Sequence, residues 1–325
     1  MKYLHLSHHN GCVADLAYVA RKLDGISIDY MQADWNYNVG PERATQIWNE
    51  RRGVFERYDG IITSDTAPLS RIFLQNGWAK PLIIWICTRF DYTDQATNDC
   101  HFPDPDYYKL FSEALNKPNV RVISYTAYEY IHARNRGVAV GDQVIKPTGM
   151  GAKSTGGTAI PADVDRVSTF FIPPYHNDTH LLDLEGMCRG MDVSVYRGRY
   201  AGPDDLKGFK GIIHIPYAWS NLALFEGWQR GLVYFIPTES MLLKLAETRQ
   251  FFWSPPFLRE QLHTSEWYDP RNSPAFMKFG SWEELKTLTH SVNLDSVRQR
   301  VKTMAIVHSA QQVSRWRTVF ESLRG

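Results

Sequence analysis

Apolar positions along the chain alternate between short continuous runs, which read as buried strands, and sets spaced three and four apart, which read as helix faces. Residues 2–6 predict a first strand, and Val13, Leu16, Ala17, Ala20 and Leu23 then recur at helical spacing behind Asn10, the expected N-cap. A strand is predicted at 26–28, a helix at 41–57 with Pro41 in its first turn, and a turn with a strand at 58–63. A helix at 68–75 closes at Asn76-Gly77. Leu82-Ile83-Ile84-Trp85-Ile86 is continuously apolar, as a strand covered on both faces of a parallel sheet must be. A helix at 106–115, a strand at 120–124 and a helix at 127–136 follow, the last ended by Gly137.

The pattern breaks at 146–167, which is rich in Gly, Thr and Pro and has no apolar period, so a linker is expected there. Alternation then resumes: strands are predicted at 169–172, 193–196, 211–215 and 232–236, and helices at 179–188, 204–209, 221–230 and 240–247. A terminal helix is predicted from about 294 to 323, with Val313, Trp316, Phe320 and Leu323 as the stripe by which it docks. Strand and helix alternating twice across a linker predict an α/β protein of two open sheets, with a cleft between them and loops at the carboxyl ends of the strands facing it.

Composition narrows the partners. The 325 residues suffice for two domains, and 36 Lys plus Arg against 35 Asp plus Glu leave no basic excess for nucleic acid or an anionic membrane. The four cysteines form no C-x-x-C pair, which argues for reduced thiols and against a zinc site or a disulfide framework. The N-terminus turns polar by Ser7 and no apolar run is long enough to span a bilayer, so no signal peptide or transmembrane segment and a cytoplasmic location are expected. Aromatics reach 13%. They either pack the cores or line a pocket for sugars or bases.

The richest segment for chemistry runs from His214 to Pro237, where a strand ends at Pro216, a small polar turn follows, and a helix begins near Ser220. A helix N-terminus suits a diphosphate, and Glu226 in that helix is placed to meet a ribose or to be an ordinary exposed glutamate. His8, His9, Asn10 and Gly11 occupy a strand-to-helix junction, where histidine can take a proton from a hydroxyl. Asp65 after the third strand is an equal candidate base, followed by Arg89 and Asp91 after the run at 82–86. His176 opens the second half, where it could touch a phosphate. Each of these also has a plain structural reading as a helix cap or a surface ion pair. Asp104-Pro105-Asp106 spells the D-x-D of metal-dependent enzymes but reads as a helix start, and 149–157 lacks the order of a P-loop, so no metal site is expected.

The order of strand, Pro216, Ser220-Asn221, a short helix bearing Glu226, a glycine, a strand and Pro237 resembles the donor-binding segment of GT-B glycosyltransferases. Tyr196-Arg197-Gly198-Arg199-Tyr200 matches in position the loop that surrounds the base, and 279–285 with the helices after it looks like the family's ending. Ser7-His8-His9-Asn10-Gly11-Cys12 departs from the Gly-Gly that many members carry there. The resemblance implies two Rossmann-like domains of GT-B type: 1–165 for the acceptor, 166–305 for the nucleotide sugar, and a helix at 306–325 returning to the first. It implies that Ser220, Asn221 and Leu222 hold the diphosphate, Glu226 the ribose, and Tyr196 to Tyr200 the base. Arg199 and Arg197, with Lys207 and Lys210 behind them, would offset the leaving diphosphate, and His9, His8 or Asp65 would be the base. Asn10, Gly11, Arg89 and Asp91 would meet the acceptor. The implied activity is metal-independent transfer from a nucleoside-diphosphate sugar, UDP by family frequency, to a glycan or glycoprotein hydroxyl, without a further cofactor. A UDP-sugar epimerase of the same fold and a non-catalytic sugar-binding scaffold are the alternatives.

Overall fold

The computed structural model describes residues 1–33, 39–88, 90–91, 104–152, 159–174 and 182–324. The chain divides into two compact units, Met1–Gly151 with Ala310–Gly325, and Ala152–Ser309.

The first unit is built on β1 (Lys2–Ser7), β2 (Ser27–Gln32), β3 (Gly60–Asp65), β4 (Leu82–Ile86) and β5 (Val120–Ser124), paired in the order β2-β1-β3-β4-β5 with every pairing parallel. Its helices are α1 (Asn10–Ala20), α2 (Pro41–Phe55), the short α3 (Arg71–Leu74), α4 (Pro105–Ala114) and α5 (Ala127–Asn135). β3 and β4 are buried along their whole length, which is why their sequences carry no polar alternation. Asp104 caps α4 by accepting from the Tyr107 amide at 3.0 Å, so Asp104-Pro105-Asp106 is the helix start that its sequence predicts.

The second unit carries β6 (Phe170–Ile172), α6 (Leu184–Gly190), β7 (Val195–Arg197), β8 (Ile212–Ile213), α7 (Leu222–Gln229), β9 (Tyr234–Pro237), α8 (Glu239–Glu247), α9 (Pro255–Gln261), β10 (Phe276–Phe279), α10 (Trp282–Ser291) and most of α11 (Leu294–Glu321). Its parallel sheet runs β10-β9-β8-β6-β7, which is the same order as the first when counted from its own first strand.

Several elements differ from the sequence expectation. The helix expected at 204–209 is a single 3-10 turn at Pro203–Leu206, stopped by Gly208 with φ of 101°. The helix expected from 179 is described only from Leu184, capped by Asp183, and 175–181 lie outside the described residues. β8 is two residues long rather than five, and β10 was not anticipated. The unit boundary falls at Gly151 rather than 165, because residues 146–151 are fastened to the first unit. The Lys146 amide donates to Gln312 Oε1 at 3.0 Å, and Thr148 and Gly149 donate to the buried carboxylate of Asp15.

The terminal helix docks as its stripe predicts. Trp316, Phe320 and Leu323 are buried, Trp316 meeting Trp85 edge-on at 5.3 Å and Phe320 meeting Tyr3 at 5.1 Å. The aromatic excess is largely core: Trp85, Trp228, Trp267 and Trp316 are all fully buried.

Candidate functional site

In a doubly wound sheet the connections on either side of the first strand leave in opposite directions, opening a crevice beyond the carboxyl ends of that strand and its neighbour. In the first unit the reversal falls between β1 and β3. The loops leaving them carry His8, His9 and Asp65, so the fold brings the three expected bases to one place.

His9, not Asn10, is the N-cap of α1. Its backbone is extended and its Nδ1 accepts from the amides of Gly11 at 3.1 Å and Cys12 at 3.3 Å. Asn10 is the first helical residue, exposed, with its side-chain oxygen 3.5 Å from the Tyr30 hydroxyl, and Gly11 sits in the same turn. An imidazole whose Nδ1 accepts carries its neutral-form proton on Nε2, which leaves His9 no free ring nitrogen to take a proton in this arrangement and weakens its case as the base.

Asp65 ends β3 in the left-handed region, with φ of 77°, and is only 6% exposed. Its carbonyl accepts from the Cys87 and Thr88 amides at 3.0 and 2.9 Å, and its Oδ1 accepts from the Thr88 hydroxyl at 3.2 Å. Burial raises its carboxyl pKa, against the opposing pull of His9, the Thr88 hydroxyl and His8. A strained, desolvated carboxylate beside two imidazoles has the chemistry of a general base.

Asp91 is drawn inward instead. Its Oδ1 lies 2.8 Å from His132 Nε2, its Oδ2 lies 3.3 Å from Arg136 Nε, and the Tyr108 hydroxyl donates to it. With both oxygens engaged at 5% exposure it clasps α4 to α5. Arg89 lies outside the described residues. Sequence spacing also gave no hint of a buried polar chain in which His5 Nε2 meets Ser64 Oγ at 2.8 Å. Ser64 in turn donates to Ser7 Oγ at 2.9 Å, and Ser7 Oγ accepts from the His9 amide at 3.1 Å. Burial holds the His5 pKa down to about 3, so the ring is neutral.

In the second unit the reversal lies between β6 and β8, and the loop leaving β8 runs from His214 to Asn221 into α7. Asn221 is the cap of α7, its side-chain oxygen accepting from the Leu224 amide at 3.0 Å, so that oxygen is committed within the protein. The amides of Leu222 and Ala223, in the first turn, have no acceptor among the described residues, as expected at a helix start. The Ser220 hydroxyl beside them is buried and also has no partner among the described residues. A distant segment fixes this loop: the Glu266 amide and Ser265 hydroxyl donate to the Trp219 carbonyl, each at 2.9 Å, and Trp267 Nε1 donates to the Ala218 carbonyl at 3.1 Å.

The carboxylate of Glu226 lies close enough to Tyr200 to act on its hydroxyl. Burial first, then the charge of Glu226 and the nearby Tyr217, push the Tyr200 pKa up to about 12. Tyr217 and Tyr234 complete this cluster, and neither stood out in the sequence. Tyr196 packs over Phe209 at 6.2 Å, so its ring is partly core. Arg197 ends β7, Arg199 follows it, and both are exposed without an ion pair among the described residues. Lys207 and Lys210 do not stand behind them: they precede β8, at the opposite end of the sheet, where Lys207 pairs with Asp204 at 2.5 Å and Lys210 donates to the Thr289 carbonyl at 3.3 Å. His176 lies outside the described residues.

Among the described residues no three His, Cys, Asp or Glu side chains gather as a metal would require, and no helix is long and apolar enough to cross a membrane. Two doubly wound α/β units, each gathering polar groups at its switch point, define the class of fold. No protein-family model matches the chain, and no curated protein matches it. Solved structures similar to it include the UDP-GlcNAc 2-epimerase from Methanocaldococcus jannaschii, at 10% identity over 94% of this chain and 99% of that one, with a TM-score of 0.48. CalG4, the calicheamicin glycosyltransferase, is 10% identical over 99% of this chain and 97% of its own, with a TM-score of 0.45. MurG of Acinetobacter baumannii is 9% identical over 95% and 94%, with a TM-score of 0.43.

Proposed function

We propose that the chain is a GT-B type glycosyltransferase, moving a sugar from a nucleoside-diphosphate sugar, UDP-linked, to a hydroxyl of a glycan acceptor. The observation that carries this reading is the start of α7, where two unclaimed amides and the unpartnered Ser220 hydroxyl stand beside the cluster of Glu226 and Tyr200. Amides and hydroxyl suit the diphosphate, Glu226 suits the ribose hydroxyls, and the exposed Arg197 and Arg199 offer forked donors as negative charge grows on the leaving group. On this reading no metal is needed for that charge.

The first unit supplies the acceptor side. Asp65 takes the proton of the acceptor hydroxyl, the oxygen attacks the anomeric carbon, and the bond to the diphosphate breaks. The raised pKa of Asp65 brings it nearer to neutrality, where a base is most effective. His9 and His8 orient the acceptor as donors.

Thermal shift across UDP- and GDP-sugars tests the donor site. A nucleotide that raises the Tm of the wild type but not of Glu226→Ala supports it, and no shift from any nucleotide overturns it in favour of a non-catalytic scaffold. Product analysis separates the reactions: sugar on an added glycan marks a transferase, whereas an isomerised nucleotide sugar without acceptor marks an epimerase.

A further inference from the structure

Cys12 and Cys87 are 75 residues apart in sequence, yet their sulfurs lie 3.8 Å apart. Cys12 is in the first turn of α1 and is 4% exposed, while Cys87 follows the end of β4 and is half-buried. Both backbones belong to the crevice of the first unit: the Cys12 amide donates to the capping ring of His9, and the Cys87 amide donates to the Asp65 carbonyl. The fold has already brought the two sulfurs into contact. A contraction of about 1.7 Å, to the usual S–S length near 2.05 Å, separates contact from a covalent bond.

We propose that Cys12 and Cys87 form a redox modification site, a dithiol that a hydroperoxide converts to a disulfide joining α1 to the end of β4. Cys12 is the attacking sulfur. The adjoining Cys87 thiol, and then the His9 ring, pull its pKa below the usual thiol value against burial, whereas burial pushes that of Cys87 up. The Cys12 thiol gives up its proton, the thiolate attacks one peroxide oxygen, and the O–O bond breaks to leave a sulfenic acid, the departing alkoxide or hydroxide taking up that proton as alcohol or water. Cys87 sulfur then displaces the sulfenic hydroxyl, which leaves as water with the Cys87 proton. Two thiols lose two electrons in all and the peroxide gains them. The half-exposed Cys87 side gives a molecule as small as hydrogen peroxide its approach.

The new bond draws the first turn of α1 toward the loop that Asp65 anchors, so it reshapes the His9 cap and the ground around the base. That consequence rests on the function proposed above, whereas the bond itself does not.

The experiment is peptide mapping of the whole chain after hydrogen peroxide, with free thiols alkylated before digestion. The expected result is a linked Cys12–Cys87 peptide, an intact mass lower by about 2 Da, and reversal by dithiothreitol. Cys12→Ser and Cys87→Ser each abolish the linked peptide, and Cys188→Ser leaves it unchanged. Alkylatable Cys12 and Cys87 after treatment, sulfinic acid without a link, or a link to another cysteine overturns the proposal, and the wild-type map decides this even where a variant does not fold. A linked peptide in a protein that turns over no nucleotide sugar, reduced or oxidised, leaves the dithiol standing and removes the transferase reading. Normal turnover without the link does the reverse.

Discussion

Replacing Asp15 by alanine removes the side chain that fastens residues 146–151 to α1. The carboxylate is 1% exposed, with Oδ2 accepting from the Thr148 amide at 2.9 Å and Oδ1 accepting from the Thr148 hydroxyl at 2.6 Å and the Gly149 amide at 3.0 Å. Alanine strands three buried donors, each costing about 1–3 kcal/mol when left unpaired. Part of that loss is returned, because burial raises the Asp15 pKa and its ionised form is itself unfavourably placed. The net expectation is a loss of about 3–5 kcal/mol, in the range found when one partner of a buried charged cluster is removed.

The sign with pH follows from the same shift. A carboxyl whose folded pKa is raised contributes most where it is protonated in both states, and that contribution falls as pH rises through its folded pKa. The penalty of Asp15→Ala is therefore larger near about pH 4 than at neutrality. Urea unfolding followed by tryptophan fluorescence at both pH values measures it, with the exposed Asp24→Ala as a control expected to stay within about 0.5 kcal/mol of wild type. A loss at Asp15 below about 1 kcal/mol at both pH values would refute the reasoning, since it would mean that the three donors find equal partners without the carboxylate.

Other outcomes follow from the same structure. Asp65→Asn removes a carboxyl whose folded pKa is likewise raised, so the variant is expected to unfold at higher urea than wild type at neutral pH, with the gap closing near about pH 4. The proposed transfer falls about 10²- to 10⁴-fold in the same variant, and initial rates on the donor identified by thermal shift check it. The His5 ring, held neutral down to about pH 3, shows no NMR titration between about pH 8 and 5, whereas an ordinary histidine titrates near 6.5. Gly53→Ala lies within α2 with nothing near its new Cβ and is expected to stabilise by about 0.5–1 kcal/mol. Gly151→Ala drives a Cβ into the backbone of Ala14 and Asp15, so its Tm falls.

The sheets were legible because fully buried parallel strands leave unmistakable apolar runs, as at Leu82–Ile86. Phe276–Phe279 escaped notice because its central Met277 and Lys278 are half-buried, as suits a strand at the end of the order, and four residues are too few to show a period. Glu226 and Tyr200 both stood out in the sequence, and the fold sets the charge of one near the hydroxyl of the other. His9 and Asn221 show the limit of spacing. Both were expected to face ligands, and both commit a side-chain acceptor to a helix start, a choice set by local backbone angles. The Asp15 clasp and the pinning of Trp219 by Ser265 and Glu266 join positions 133 and 46 residues apart, and no local pattern announces them.

The first unit takes residues from both ends of the sequence, and this sets an order on its birth. Trp85 and Tyr3 are covered by Trp316 and Phe320, which are synthesised some 230 or more residues later. During translation at about 5–20 residues per second, the first sheet therefore waits about 12–46 seconds with that aromatic face open. The second unit is continuous from Ala152 to Ser309 and needs nothing further to close. The first sheet is thus made before the second unit and covered after it, and its aromatic face stays open to chaperones through that interval.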